Sequence, residues 1–102
     1  MLREVIWSPA SEEDLNNIVE YLKLHWSFRI TSRFINKVDD CVGLIIENPT
    51  IFPFINKDMG IRKCVITKQN SLFYREKDNN IEIIRVFDTR QDPNKLEFLK
   101  NN

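Results

Sequence analysis

The stretch from Ser71 to Asp92 constrains this chain more than any other, because it holds two strand-forming runs joined by turn chemistry. Leu72, Phe73 and Tyr74 suit a pleated surface, Asp78-Asn79-Asn80 supplies the turn, and Ile81 to Phe87 is rich in β-branched and aromatic residues. An antiparallel hairpin is predicted. Strict alternation would set Leu72 and Tyr74 on one face with Ile81, Ile83, Arg85 and Phe87. Phe73 and Arg75 would share the other with Ile84, Val86 and Asp88, leaving both faces apolar enough to be largely covered. Arginines inside the strands, followed by the polar exit Asp88-Thr89-Arg90-Gln91-Asp92-Pro93, would line one edge of a rigid sheet with cations. That edge is the first place to expect function.

The rest of the chain reads as support for this hairpin. Leu2 to Trp7 suits a strand that joins the later sheet. Ser8-Pro9 pairs a capping hydroxyl with proline at the first helical position, and Glu12, Glu13 and Asp14 place acids where a helix dipole favours them. Leu15, Ile18, Val19, Leu22 and Trp26 then form one apolar stripe. His25 to Arg29 breaks the pattern, and a second helix is predicted from Ile30 or Thr31, antiparallel to the first. It carries Phe34, Ile35, Val38, Cys41, Val42 and Ile45 on a broad apolar face and stops at Asn48-Pro49. The run from Asn48 to Ile55, interrupted by two prolines, reads as an extended segment packed on the domain, not a central strand. Ile61 to Ile66 reads as a strand, Thr67 to Asn70 as a turn, and Lys95 to Lys100 as one or two helical turns. The expected fold is one α+β domain over residues 1–102: an N-terminal strand, an antiparallel helix hairpin and a three-stranded antiparallel meander, with the helices on one face of the sheet. The opposite face, with no helix to cover it, is either wet or a binding surface.

With 102 residues, such a domain buries roughly two thirds of the surface its unfolded chain exposes, so a core without staples is feasible. The formal net charge is zero, but it is unevenly placed: Met1–Gly60 holds six Lys+Arg against nine Asp+Glu, and Ile61–Asn102 nine against six. This imbalance permits a phosphate-rich partner without demanding one, and equally suits an acidic protein partner. Cys41 and Cys64 lack metal-ligand spacing and the chain has one histidine, so neither a metal nor another cofactor is expected; one disulfide between them is open in principle, and two free thiols are the expectation. No stretch has the length of a membrane span.

Arg62, Arg75, Arg85 and Arg90 lie on or just beyond the meander, and arginine suits phosphate or carboxylate recognition because its planar fork stays charged. Against a binding role, Arg75 and Glu82 fall on matching parity for a cross-strand pair. Tyr74 is a proton donor or a base-stacking ring on one reading and a core residue on the other. Asp88 and Asp92 flank Arg90 and either hold it in place or merely solvate the loop; Trp7 and Trp26 are read as core anchors and His25 as a helix C-terminal residue. No nucleophile-base pair, glycine-rich phosphate cradle or paired carboxylates appear.

In order and spacing, the Pro-capped helix with Asp14-Leu15, Ile18 and Tyr21, the helix ending in Asn48-Pro49, Gly60-Ile61-Arg62, Phe73-Tyr74-Arg75 and Ile83-Ile84-Arg85-Val86-Phe87-Asp88-Thr89-Arg90 resemble the RelE/ParE superfamily of toxins from bacterial toxin-antitoxin modules. The resemblance covers nearly the whole chain. It implies a small cytoplasmic toxin that a cognate antitoxin wraps and silences, at the exposed sheet edge or in the helix-pair groove. RelE-like members are ribosome-dependent endoribonucleases that cut messenger RNA, whereas ParE-like members poison DNA gyrase. The ribonuclease branch carries two alternating basic residues along the strand that here runs from Ile61 to Ile66; Arg62 matches the first and Cys64 stands at the second. Ser71 stands where that branch has an arginine, and Asp88 where many relatives have histidine, while Arg90 matches a basic position. The expectation is therefore a ParE-like gyrase poison, with Arg62, Arg75, Arg85 and Arg90 as its binding surface and Tyr74, Phe87 and Asp88 in support. The alternatives are a ribonuclease acting on ribosome-bound messenger RNA through Arg62, Arg90 and Tyr74, and a non-toxic binding module on the same fold.

Overall fold

Asp78 and Asn79 take φ of 53° and 66°, the left-handed pair required by a two-residue type I′ hairpin turn, and Asp and Asn are among the few side chains that tolerate it. The turn joins strands β4 (Asn70–Lys77) and β5 (Asn80–Asp88) in the computed structural model, which describes residues 3–88. The other elements are β1 (Val5–Trp7), α1 (Pro9–His25), α2 (Phe28–Glu47), β2 (Phe54–Asn56) and β3 (Ile61–Val65). They form a five-stranded sheet in the order β1-β5-β4-β3-β2. β3, β4 and β5 are the expected antiparallel meander, and β1 joins it parallel to β5, with Val5 opposite Ile81 and Trp7 opposite Ile83. The segment with two prolines adds β2 at the far edge, a short strand with a register shift between Phe54 and Asn56, as proline demands of a strand it flanks.

The core lies between the helix pair and one face of this sheet. Ile18, Phe34, Val38, Cys41 and Ile45 meet Cys64, Leu72, Tyr74, Ile81, Ile83 and Val86, with Leu15, Val19, Leu22 and Trp7 packed around them. The opposite face is not simply wet: Ile61 and Phe73 are also buried.

Four sequence expectations change. Between Phe73 and Tyr74 the β4–β5 register shifts, so that Phe73 faces Arg85 and Tyr74 faces Ile83, with Ile84 the extra residue. One added residue inverts every later side chain, so Val86, not Arg85 or Phe87, continues the core face begun by Ile81 and Ile83. The second helix starts at Phe28, because the Ser27 hydroxyl accepts the Ile30 N–H at 3.2 Å and caps it there. Trp26 consequently leaves the first helix in an extended conformation, φ −135° and ψ 177°, and is 55% exposed instead of extending the apolar stripe. Cys41 and Cys64 are joined as a disulfide across α2 and β3, not held as two free thiols, because both face the same core layer.

Candidate macromolecule-binding surfaces

The first helix does more than cover the sheet. β1 ends at Trp7, so beyond Ile83 the outer edge of β5 has no strand beside it. The start of α1 takes over that edge. The Ser8 N–H donates to the Ile83 carbonyl at 3.0 Å, and the Ser8 hydroxyl donates to the carbonyl of the bulged Ile84 at 2.7 Å while accepting the Ser11 N–H. One turn later the buried Asp14 carboxylate accepts the Val86 N–H at 3.1 Å.

Asp14 also holds Arg85. Nε and Nη2 of the guanidinium donate to its two oxygens at 2.7 and 2.9 Å, a two-pronged pairing. Those hydrogen bonds push the Arg85 pKa further up, against the opposing effect of burial. Arg85 therefore carries a locked charge. Arg75 meets Glu82, its partner across the strands, at 2.7 Å, the pair that parity had suggested.

Arg62 differs from both. It shares the helix-facing side of the sheet with its register partner Tyr74, whereas Arg75 and Arg85 project from the other side. Its Nη1 donates to the carbonyl of Phe52 at 2.7 Å and approaches that of Thr50 at 3.4 Å, and its guanidinium lies 3.7 Å from the centre of the Phe54 ring. Its partners among the described residues are dipoles and a π face, which leave its charge uncancelled. Tyr74 is fully buried and donates its hydroxyl to the Pro49 carbonyl at 2.7 Å, with the Phe52 ring edge-on at 6.4 Å. Burial raises its pKa, with the nearby Arg62 charge pulling the other way. Arg62 and Tyr74 together clamp the 49–54 segment. Phe87 is half-buried opposite Ser71, and Asp88 is buried opposite Asn70. Arg90 and Asp92, like the helical turn read over Lys95 to Lys100, lie outside the described residues.

A second surface escaped the sequence reading. From Tyr21 to Val38 the chain contains Lys23, His25, Arg29, Arg33 and Lys37 and no acidic residue. The halved charge count hid this block, because the acids on either side cancel it; a shorter window would have found it. It forms the tip of the helix pair, where Phe28 is 86% and Leu24 77% exposed. Beside it a cleft of about 310 Å³ is lined by Leu22, Trp26, Ile30, Arg33, Phe34 and Lys37, among others. Asn70 also borders it and carries a buried Oδ1 that has no hydrogen-bond partner among the described residues. Tyr21 packs on His25 with ring centres 4.5 Å apart. Among the described residues no group of three or more His, Cys, Asp or Glu side chains is arranged to hold a metal ion, and no helix is long and apolar enough to cross a membrane.

The family described as the ParE toxin of type II toxin-antitoxin systems, parDE, matches residues 5–93. Among solved structures, the chromosomal ParDE toxin-antitoxin system from P. aeruginosa superposes with a TM-score of 0.71 at 15% identity, over 85% of this chain and 96% of that one. The DinJ-YafQ toxin-antitoxin complex of E. coli gives 0.59 at 18% identity, over 88% and 96%. The YoeB dimer from Staphylococcus aureus gives 0.62 at 17% identity, over 85% and 97%. At these identities the likeness is one of fold. No curated protein is significantly similar to the chain in sequence.

Proposed function

Because this chain belongs to the ParE toxin family of type II toxin-antitoxin systems, we propose that it arrests growth by poisoning DNA gyrase and that a cognate antitoxin silences it. The observation that carries this reading is the state of the residues a nuclease would need. Strand scission at a 2′-hydroxyl requires a group to move the proton and cations to stabilise the charge that develops on phosphorus. Tyr74 is spent as an internal strut, its hydroxyl held on Pro49 and its ionisation opposed by burial. Cys64 and Ser71, at two positions where the resemblance puts cations, carry none, and Cys64 faces the core. Arg75 and Arg85 are neutralised by Glu82 and Asp14. What the described sheet offers is a shaped surface with one uncancelled arginine, Arg62, which favours binding over catalysis.

The P. aeruginosa and E. coli structures are of toxin-antitoxin systems, which supports an antitoxin for this chain as well. The site of action is then the cytoplasm, where the Cys41–Cys64 linkage and the reducing compartment pull in opposite directions. Alkylation of freshly lysed cells reads which prevails. The function itself is tested by incubating the purified chain with gyrase and supercoiled plasmid. Accumulation of gyrase-linked, linearised plasmid is expected. Untouched gyrase together with cleavage of messenger RNA on translating ribosomes would overturn the proposal in favour of the nuclease.

A further inference from the structure

The charges of α2 are placed against the helix that carries them. Arg29, Arg33 and Lys37 follow one another at four-residue steps in its N-terminal half, while Asp39, Asp40 and Glu47 occupy the C-terminal half. A helix dipole favours the reverse order, and like charges at that spacing repel. All three cations are exposed, and none takes part in a salt bridge among the described residues. No ion pair among the described residues ties their charges to the fold, so the use of those charges is to be sought in a partner.

Their spacing says which kind. Four residues of helix advance about 6 Å, so the three heads form an evenly pitched row, comparable with the separation of successive phosphates along a nucleic-acid strand. Two aromatic residues, Trp26 and Phe28, stand at the N-terminal end of the row, 55% and 86% exposed, and among the described residues neither is stacked on another ring. Exposed rings beside a cationic track are what unpaired bases stack upon, whereas a duplex hides its base faces. An acidic helix could match the charges, but it does not carry a flat face beside each of them, as a nucleic-acid strand carries a base beside each phosphate. We propose that the tip of the helix pair binds single-stranded nucleic acid, its phosphates along Arg29, Arg33 and Lys37 and its bases against Trp26 and Phe28. The cleft beside Trp26, bordered by the unpaired Asn70 Oδ1, has the volume to admit one base. The inference goes beyond the gyrase reading and does not depend on it.

The test is fluorescence anisotropy of the purified full chain with a labelled oligo-dT or oligo-rU, the matching duplex and a glutamate-rich peptide. Three neutralised phosphates predict a slope of log K against log salt of about −2 for the single strand, and Arg33→Gln should make it shallower by about 0.7. Trp26→Ala should weaken binding roughly tenfold and leave the slope unchanged. The arms with dT and rU separate DNA from RNA as the strand recognised. Absence of oligonucleotide binding, tighter binding of the duplex or the acidic peptide, or a slope indifferent to Arg33→Gln would overturn the proposal. Urea unfolding of each variant separates lost binding from lost fold, and the gyrase assay on the same samples keeps this inference and the gyrase reading apart.

Discussion

The two helices are neighbours on the same sheet, yet they use charge in opposite ways. α1 begins with Glu12, Glu13 and Asp14 and ends with Lys23 and His25, the order its dipole favours, and its one buried acid is tied to the sheet through Arg85 and the Val86 N–H. α2 has no acid in its first turn and no base in its last. It holds its place by its apolar face, through Phe34, Val38, Cys41 and Ile45, and its charges run against its dipole. The difference separates charge that builds the molecule from charge left over for something else. In α1 a charged side chain is part of the fold, and in α2 it is presented.

The largest effect that would break this contrast is at Asp14. Asp14→Ala takes the two-pronged acceptor from the Arg85 guanidinium, about four fifths shielded, and the carboxylate from the buried Val86 N–H. Removing one partner from such a pair costs about 3 kcal/mol. Urea unfolding should show that loss, and Arg33→Ala or Lys37→Ala should show almost none. A cost at Asp14 no greater than at Arg33 would mean that α1 is not fastened as described.

Next in size are the two caps. The Ser8 hydroxyl serves both its own helix, through the Ser11 N–H, and the bulged carbonyl of Ile84, whereas the Ser27 hydroxyl serves only the exposed Ile30 N–H. Ser8→Ala should therefore cost about 2 kcal/mol and Ser27→Ala about 0.5–1 kcal/mol, measured by the same unfolding curves. Equal costs would show that the contact between helix and sheet at Ser8 adds nothing to its cap.

How much of this was readable beforehand follows from what each residue's neighbours reveal. The hairpin was legible, because Asp78 and Asn79 are side chains that adopt left-handed backbone and both flanks are strand formers. So were the cap at Ser8-Pro9 and the pairing of Arg75 with Glu82. The bulge was not: Ile83 and Ile84 are both isoleucine, so alternation carries no mark of which one is extra. Misreading it moved Arg85 and Phe87 to the wrong face and concealed Asp14, which looks in sequence like any acid at a helix start. Trp26 fits the helical period but stands one residue past the last helical one, and periodicity does not register where a helix ends. The cationic tip was lost in a different way, to an average taken over too long a window.

The smallest effect tests the contrast most directly, because one kind of exchange should act in opposite directions on the two helices. Glu12→Lys on α1 puts a cation in a first turn where the dipole favours an anion, and should destabilise by about 0.5 kcal/mol. Arg33→Glu on α2 ends two like-charge neighbours, with Arg29 and with Lys37, and replaces them with i,i+4 attractions. It should stabilise the fold by about 0.5 kcal/mol. Both residues are exposed, so neither change disturbs packing, and the difference should shrink in high salt, where surface charges are screened. Unfolding midpoints at low and high ionic strength give the signs. If Arg33→Glu destabilises instead, the arginine has a structural acceptor and α2 is not the helix with spare charge. If it stabilises the fold while abolishing the oligonucleotide binding proposed above, stability has been given up on α2 to hold cations where a polyanion can reach them.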